Sequence, residues 1–442
     1  MGWNAFLFFI NKSLYLSLSL LLYQNLSTND FSLWANIQSS IFLLLLWLDC
    51  GFRKSLPRFA PEFANSTDGM NRFTRKILLF QTCLLFATSP LFFMLLSRIT
   101  GISNRLLYLG ILIFVVEGIV SILRLLFHSY FLQKQFNLIV STVLLIQMAT
   151  CLLCITFITK SHALLQAIFI SKLISGALII IIGAMRGKKI LYRQIATKYN
   201  NSHMPSFRDF IKHSFFMWIT TVMKSLTERN TLVPLFTYML GPATANLFKI
   251  ANDGALFFQR IVIKTIGTTD TSLLTYTELS PKKNELLPQM FETLLKNFIR
   301  LCVPIIVIIF VFGPQMFGTL YHGQILKLFF IMSISYLIHV LFFPFERLLE
   351  VKKWYNTLLL SHTPYTFLII LFFLFYPQIP SIGLLTLATI PHIARLTSAL
   401  IMFLVVKKKF RFFFPVKFTL LILGITIILS FIALGIWHLL IG

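Results

Sequence analysis

The chain has 442 residues, of which 57% are hydrophobic and 12% charged, with a mean hydropathy of +0.82. A water-soluble chain could not hide that much apolar surface, so the composition excludes a soluble globular protein and points to an integral membrane one. The net charge of +25 would suggest nucleic acid in a soluble protein; its confinement to alternate loops, described below, argues against that here.

Runs of roughly 20 apolar residues predict membrane spans, and there are about thirteen. They lie near Trp3–Gln24, Phe31–Cys50, Ile77–Leu96, Leu106–Leu125, Phe136–Ile158, Ala163–Ala184, Phe215–Leu240, Ala245–Ile266, Phe298–Phe317, Leu326–Phe345, Thr357–Tyr376, Leu384–Val406 and Phe418–Leu440. The first brings Lys12, Tyr15, Ser19 and Tyr23 to one face, with Lys12 near enough to the membrane edge to snorkel. Between the first two spans, Leu26–Ile37 shares a weak pattern with Leu240–Ala251: an apolar helix ends in a polar turn, and a second helix opens on an aromatic, Trp34 or Phe248. A repeat at half-length predicts two lobes of six spans.

The fourth span carries Glu117, Ser121, Arg124 and His128 on one face. Cys151 and Cys154 in the fifth form a CxxC, which inside an apolar helix reads as small hydrophobes. After the sixth span, residues 185–213 form a basic cytoplasmic linker, with a turn at Asn200–Ser202 and a helix cap at Ser206. The expected division is therefore a lobe at 1–184, the linker, a lobe at 214–406, and a basic segment with an extra helix at 407–442.

The seventh span places Thr221, Lys224, Glu228 and Thr231 on one face, with Arg229 to the side and Pro234 as a kink. On the eighth, Lys249, Asp253, Arg260 and Lys264 fall within about 60° of one another. Two readings of Lys249 and Asp253 stay open: cavity lining, or an i,i+4 ion pair that joins helices. His339 with Ser335 and Glu346 on the tenth span, and His392 with Arg395 on the twelfth, read either as proton relays or as hydrogen-bonded structural histidines.

Lys and Arg crowd every second loop, at Arg53–Lys76, Arg124–Lys134, Arg186–Lys212, Lys282–Lys283, Arg347–Lys353 and Lys407–Arg411, and are sparse in the intervening ones. This asymmetry predicts a cytoplasmic N-terminus, with the turns near Gly241 and Pro380 external. No P-loop, HExxH, GxSxG or paired-aspartate motif occurs, and the external loops are too short to carry catalytic groups, so no enzyme, cofactor or metal site is expected. An interior richer in Lys and Arg than in carboxylate suits an anion, and the arginine fork suits phosphate.

The motifs Asp30-Phe31-Ser32-Leu33-Trp34, Leu48-Asp49-Cys50-Gly51 and Ser55-Leu56-Pro57-Arg58-Phe59-Ala60-Pro61-Glu62 run in order through the first half. Ser206-Phe207-Arg208, Glu228-Arg229, Leu240-Gly241-Pro242 and Asn246-Leu247-Phe248-Lys249-Ile250-Ala251 follow in the second. By these the chain resembles the multidrug/oligosaccharidyl-lipid/polysaccharide exporter superfamily, in its O-antigen-type polysaccharide flippase branch. Ser32 and Asn246 stand where that branch has glycines, Trp34 and Phe248 where it has tyrosines, and Glu228 where it has aspartate.

The resemblance implies an all-α polytopic protein of the bacterial inner membrane. It would flip an undecaprenyl-diphosphate-linked oligosaccharide outward by alternating access. The partners implied are membrane lipid, that oligosaccharide, and H+ or Na+ as coupling ion, with no nucleic acid; the protein would be a monomer, alone or with polysaccharide polymerase machinery. The candidate substrate-binding residues are Lys12, Glu117, Arg124, Lys224, Glu228, Arg229, Lys249, Asp253, Arg260 and Lys264. The alternatives are a multidrug-cation antiporter, a lipid II flippase, and a membrane-bound glycan polymerase or ligase.

Overall fold

The computed structural model describes residues 2–59, 67–99, 102–129, 132–195, 207–266, 270–317, 323–375, 383–410 and 415–441. The elements among them are all helices: α1 (Gly2–Asn25), α2 (Thr28–Leu48), α3 (Phe52–Phe59), α4 (Thr67–Ser97), α5 (Asn104–Ser129), α6 (Gln133–Phe157), α7 (Ser161–Ile195), α8 (Phe207–Ser225) and α9 (Arg229–Leu240). The chain continues with α10 (Pro242–Ile266), α11 (Asp270–Leu279), α12 (Lys283–Phe317), α13 (Gln324–Leu341), α14 (Phe343–Val351), α15 (Tyr355–Leu374), α16 (Leu384–Phe410) and α17 (Val416–Ile441). Eight helical stretches among the described residues are long and apolar enough to cross a membrane. Large apolar side chains such as Phe86, Met94, Phe157 and Phe310 are exposed, as suits helices whose solvent is lipid. The all-helical multispan class expected from hydropathy is thus the observed one.

Two compact units are present, Met1–Asn246 and Leu247–Gly442. In the first, α1 packs on α6, α5 lies against both α4 and α7, and α2 lies along α9. The two copies of the weak repeat share one local layout. Trp34 and Phe248 are both buried and both stand six residues into their helices, which open at Thr28 and Pro242 rather than on the aromatics. Ser27 caps α2, its hydroxyl accepting from the Asp30 amide at 3.2 Å, so the local polar turn sets the start. Within the first unit, the Asn246 side-chain amide donates to the Thr28 carbonyl at 2.9 Å.

The seventh span differs from expectation. It breaks into α8 and α9 at Leu226–Glu228, while Pro234 lies inside α9. Local hydroxyls meet the freed backbone groups: Thr231 donates to the Ser225 carbonyl at 2.7 Å and Thr227 to that of Lys224 at 3.2 Å. Trp47 Nε1 donates to Ser225 Oγ at 2.8 Å, and Trp218 Nε1 to the Trp47 carbonyl at 2.6 Å. A polar Ser-Leu-Thr-Glu-Arg-Asn run outcompetes proline here because its side chains can replace the missing ladder bonds.

At the other end of α2 the chain turns through Cys50 and Gly51, both at positive φ (50° and 76°). A Cβ on Gly51 would fall onto the Ser214 carbonyl oxygen and lie 2.8 Å from the Trp218 amide nitrogen. Only glycine lets the α2–α3 turn meet the α8 backbone. This docking gathers Phe52, Leu56, Phe59, Phe73 and Phe210 into one buried cluster. Gly51→Ala should cost about 2–4 kcal/mol through strained φ and backbone displacement, read as a lower melting temperature in detergent; an unchanged melting temperature would refute this packing argument.

In the second unit α12 packs against α13 and α17, and α16 against α13 and α15. Arg300 on α12 lies over the Phe418 ring of α17 at 5.2 Å. Lys352 bonds Glu278 at 2.6 Å, and Arg347 bonds Glu350 at 2.6 Å. The Asn200–Ser202 turn, the Ser206 cap, Ala60–Glu62, the turn near Pro380 and Arg411 lie outside the described residues, as do the side chains of His128 and Lys264.

Candidate functional site

The first unit holds a cluster of charges at membrane depth. On α5, Glu117 meets Lys172 of α7 at 3.4 Å, the two side chains 19% and 10% exposed. Each stands near the middle of its span, too far from either end to snorkel. The pair is held close by helix packing: a Cβ on Gly176 would overlap Val116 Cγ1, so glycine one turn beyond Lys172 lets α7 approach α5 beside Glu117. Lys172 Nζ also lies 4.9 Å from the ring centre of Phe42 on α2, a cation–π contact that offsets part of its desolvation.

Two turns along α5, about 10 Å, Arg124 stacks over Phe136 at 5.5 Å. It lies within electrostatic reach of Arg53, Tyr15 and Glu117. Arg53, at the start of α3, reaches into the bundle and donates to Ser121 at 2.8 Å, with Asp49 at 3.6 Å. Lys12 on α1 lies 5.1 Å from the Tyr15 ring centre, which links it to the same cluster. Four cations, Lys12, Arg53, Arg124 and Lys172, thus share the region with two carboxylates, Asp49 and Glu117. The surplus positive charge of this half-buried group suits an anion that brings its own charge into low dielectric.

Three of the expected residues, Lys12, Glu117 and Arg124, are brought together. Two of the cluster's cations were not expected, and neither was the carboxylate of Asp49. Arg53 read as one of many basic loop residues, and Lys172 is a single lysine amid apolar sequence. The signal for Lys172 was its position, since a lysine more than two turns from either end of a span cannot reach the headgroups.

The remaining candidates lie elsewhere. Lys224 lies in the last turn of α8, half-buried; Glu228 is the exposed residue preceding α9, and Arg229 donates to Asn230 Oδ1 at 3.0 Å. The helix break at Leu226 separates Lys224 from Glu228, so these two do not share the single helical face expected of them, while Arg229, expected to its side, opens α9. Lys249 and Asp253 form an ion pair at 2.7 Å with side chains 1% and 8% exposed. Arg260 is half-buried farther along α10.

No family model and no curated relative matches the sequence. The fold, in contrast, matches solved transporters. A MATE in the bent conformation aligns with TM-score 0.61 at 11% identity over 92% of this chain and 94% of its own. A Vibrio cholerae MATE transporter aligns with TM-score 0.60 at 12% identity over 92% and 96%. The lipid II flippase MurJ, in an inward closed conformation, aligns with TM-score 0.58 at 16% identity over 98% and 92%. At such identities the fold is what is shared.

Proposed function

We propose that the protein is a flippase that moves an undecaprenyl-diphosphate-linked oligosaccharide, a unit of O-antigen or another surface polysaccharide, from the cytoplasmic to the outer face of the bacterial inner membrane. The observation that carries this is the surplus of cations around Arg124 and Lys172. A diphosphate can replace its lost hydration with guanidinium and ammonium groups already held in place, and the arginine fork binds two phosphate oxygens at once. A lipophilic drug cation would meet net repulsion from the same group, which counts against an antiporter. The flippase MurJ also aligns over more of this chain than the MATE transporters do, 98% against 92%.

In this reading the sugar and diphosphate cross within the protein while the lipid tail stays in the bilayer. Access alternates between two six-helix lobes, residues 1–184 and 214–406, related along the membrane normal. The N-terminus is cytoplasmic, no cofactor takes part, and an H+ or Na+ gradient supplies the drive. Deleting the gene should abolish surface glycan while its lipid-linked precursor accumulates on the cytoplasmic face. Normal surface glycan in a deletion strain without a related transporter would overturn the proposal.

A further inference from the structure

The interior of the second unit holds a separate polar group at the join of α10, α13 and α16. His392 and Arg395 on α16 are 4% and 5% exposed, and Arg395 Nη1 lies 3.1 Å from His392 Nδ1. The guanidinium lies 4.5 Å from the ring centre of Tyr336 on α13, and the His392 ring meets that same ring edge-on at 5.0 Å. Asn252 of α10 donates to the Tyr336 hydroxyl at 3.1 Å. Buried His339 of α13 lies within electrostatic reach of His392. From α15, His362 bonds Ser398 at 3.1 Å. The α14 helix, with Glu346, Arg347 and Glu350, meets α16 at Phe403, about 16 Å along the helix from His392.

We propose that His392 is the binding site of the coupling ion and that this ion is a proton. Arginine can only donate, so Nδ1 in the observed contact is a lone pair and the imidazole is neutral. When a proton from water bonds to that lone pair, the contact to Arg395 is broken. Imidazolium and guanidinium then face each other in low dielectric, and Arg395 must leave. Reciprocally, any movement that draws Arg395 away opens Nδ1 to a proton. Pro391, next to His392 inside α16, removes one ladder bond there and makes this stretch the natural place for the helix to flex.

Sodium fits poorly. It needs a shell of oxygen ligands, and at Nδ1 it would meet a nitrogen lone pair beside the Arg395 guanidinium. Asp253, Glu278, Glu292 and Glu350 are each held by a lysine or arginine. A nitrogen lone pair takes a proton and has little affinity for a hard alkali cation.

The inference rests on the transport reading and names its coupling ion, and two measurements keep the failures apart. The first needs no substrate: 15N-histidine NMR of the purified full chain, with His392→Gln assigning the resonance. His392 should be neutral at pH 7.5 in the native chain, and its titration should move in Arg395→Gln. The second is complementation of the deletion strain. His392→Gln keeps an acceptor for Arg395 but cannot bind a proton, and should lower surface glycan at least tenfold at normal abundance. Full complementation by His392→Gln, or a midpoint unmoved in Arg395→Gln, would overturn the proton site. Failure of the wild-type gene to complement would instead overturn the transport reading.

Discussion

Lys249→Ala will lower the stability of the detergent-solubilised protein by about 3–5 kcal/mol, the usual penalty for removing one partner of a buried ion pair. The pair is 2.7 Å long and both side chains are almost inaccessible, so Asp253 would keep a carboxylate in low dielectric with its nearest cation gone. The double variant Lys249→Ala/Asp253→Ala should recover most of that loss, because both charges then leave the interior together. Denaturant unfolding of the three proteins decides it. A double variant as unstable as the single one would mean that lost packing around α10, rather than an orphaned charge, sets the penalty.

The second large effect is expected in the first unit. Arg124→Ala and Arg53→Ala should each lower export of the lipid-linked glycan at least tenfold at unchanged membrane abundance. This corresponds to about 1.4 kcal/mol or more of lost anion stabilisation. Arg124→Lys should keep part of the activity, since the charge survives while the bidentate geometry does not. Glu117→Gln should preserve export, because it removes a negative charge from a site that holds an anion. Surface-glycan yield in the complemented deletion strain measures all four. The opposite pattern, with Arg124→Ala active and Glu117→Gln dead, would favour a cation substrate and sink the diphosphate reading.

The fold was legible because a membrane imposes a simple rule: apolar runs of a fixed length must be helices. In the weak repeat, Trp34 and Phe248 stand at the same offset from the starts of α2 and α10. Side-chain partnerships were less legible. Helical periodicity relates residues within one helix, so it found the Lys249–Asp253 pair but could not join Glu117 to a lysine two helices later. It also treated the seventh span as unbroken. The break at Leu226–Glu228 depends on hydroxyls that look unremarkable in sequence and on Trp47, which comes from another helix altogether. Arg53 was hidden by company, one basic residue in a basic loop, until the turn at Gly51 aimed it inward.

The Glu117–Lys172 pair has a consequence for how the chain is made. The partners are separated by 55 residues of synthesis, since Lys172 follows Glu117 across all of α6. At typical synthesis rates of about 5–20 residues per second that interval is roughly 3–11 s. During it α5 has emerged with a mid-span carboxylate whose lysine does not yet exist, at a transfer cost on the order of 3 kcal/mol if it faces lipid alone. The ion pair can therefore close only once α7 has been made, so it forms late relative to α5.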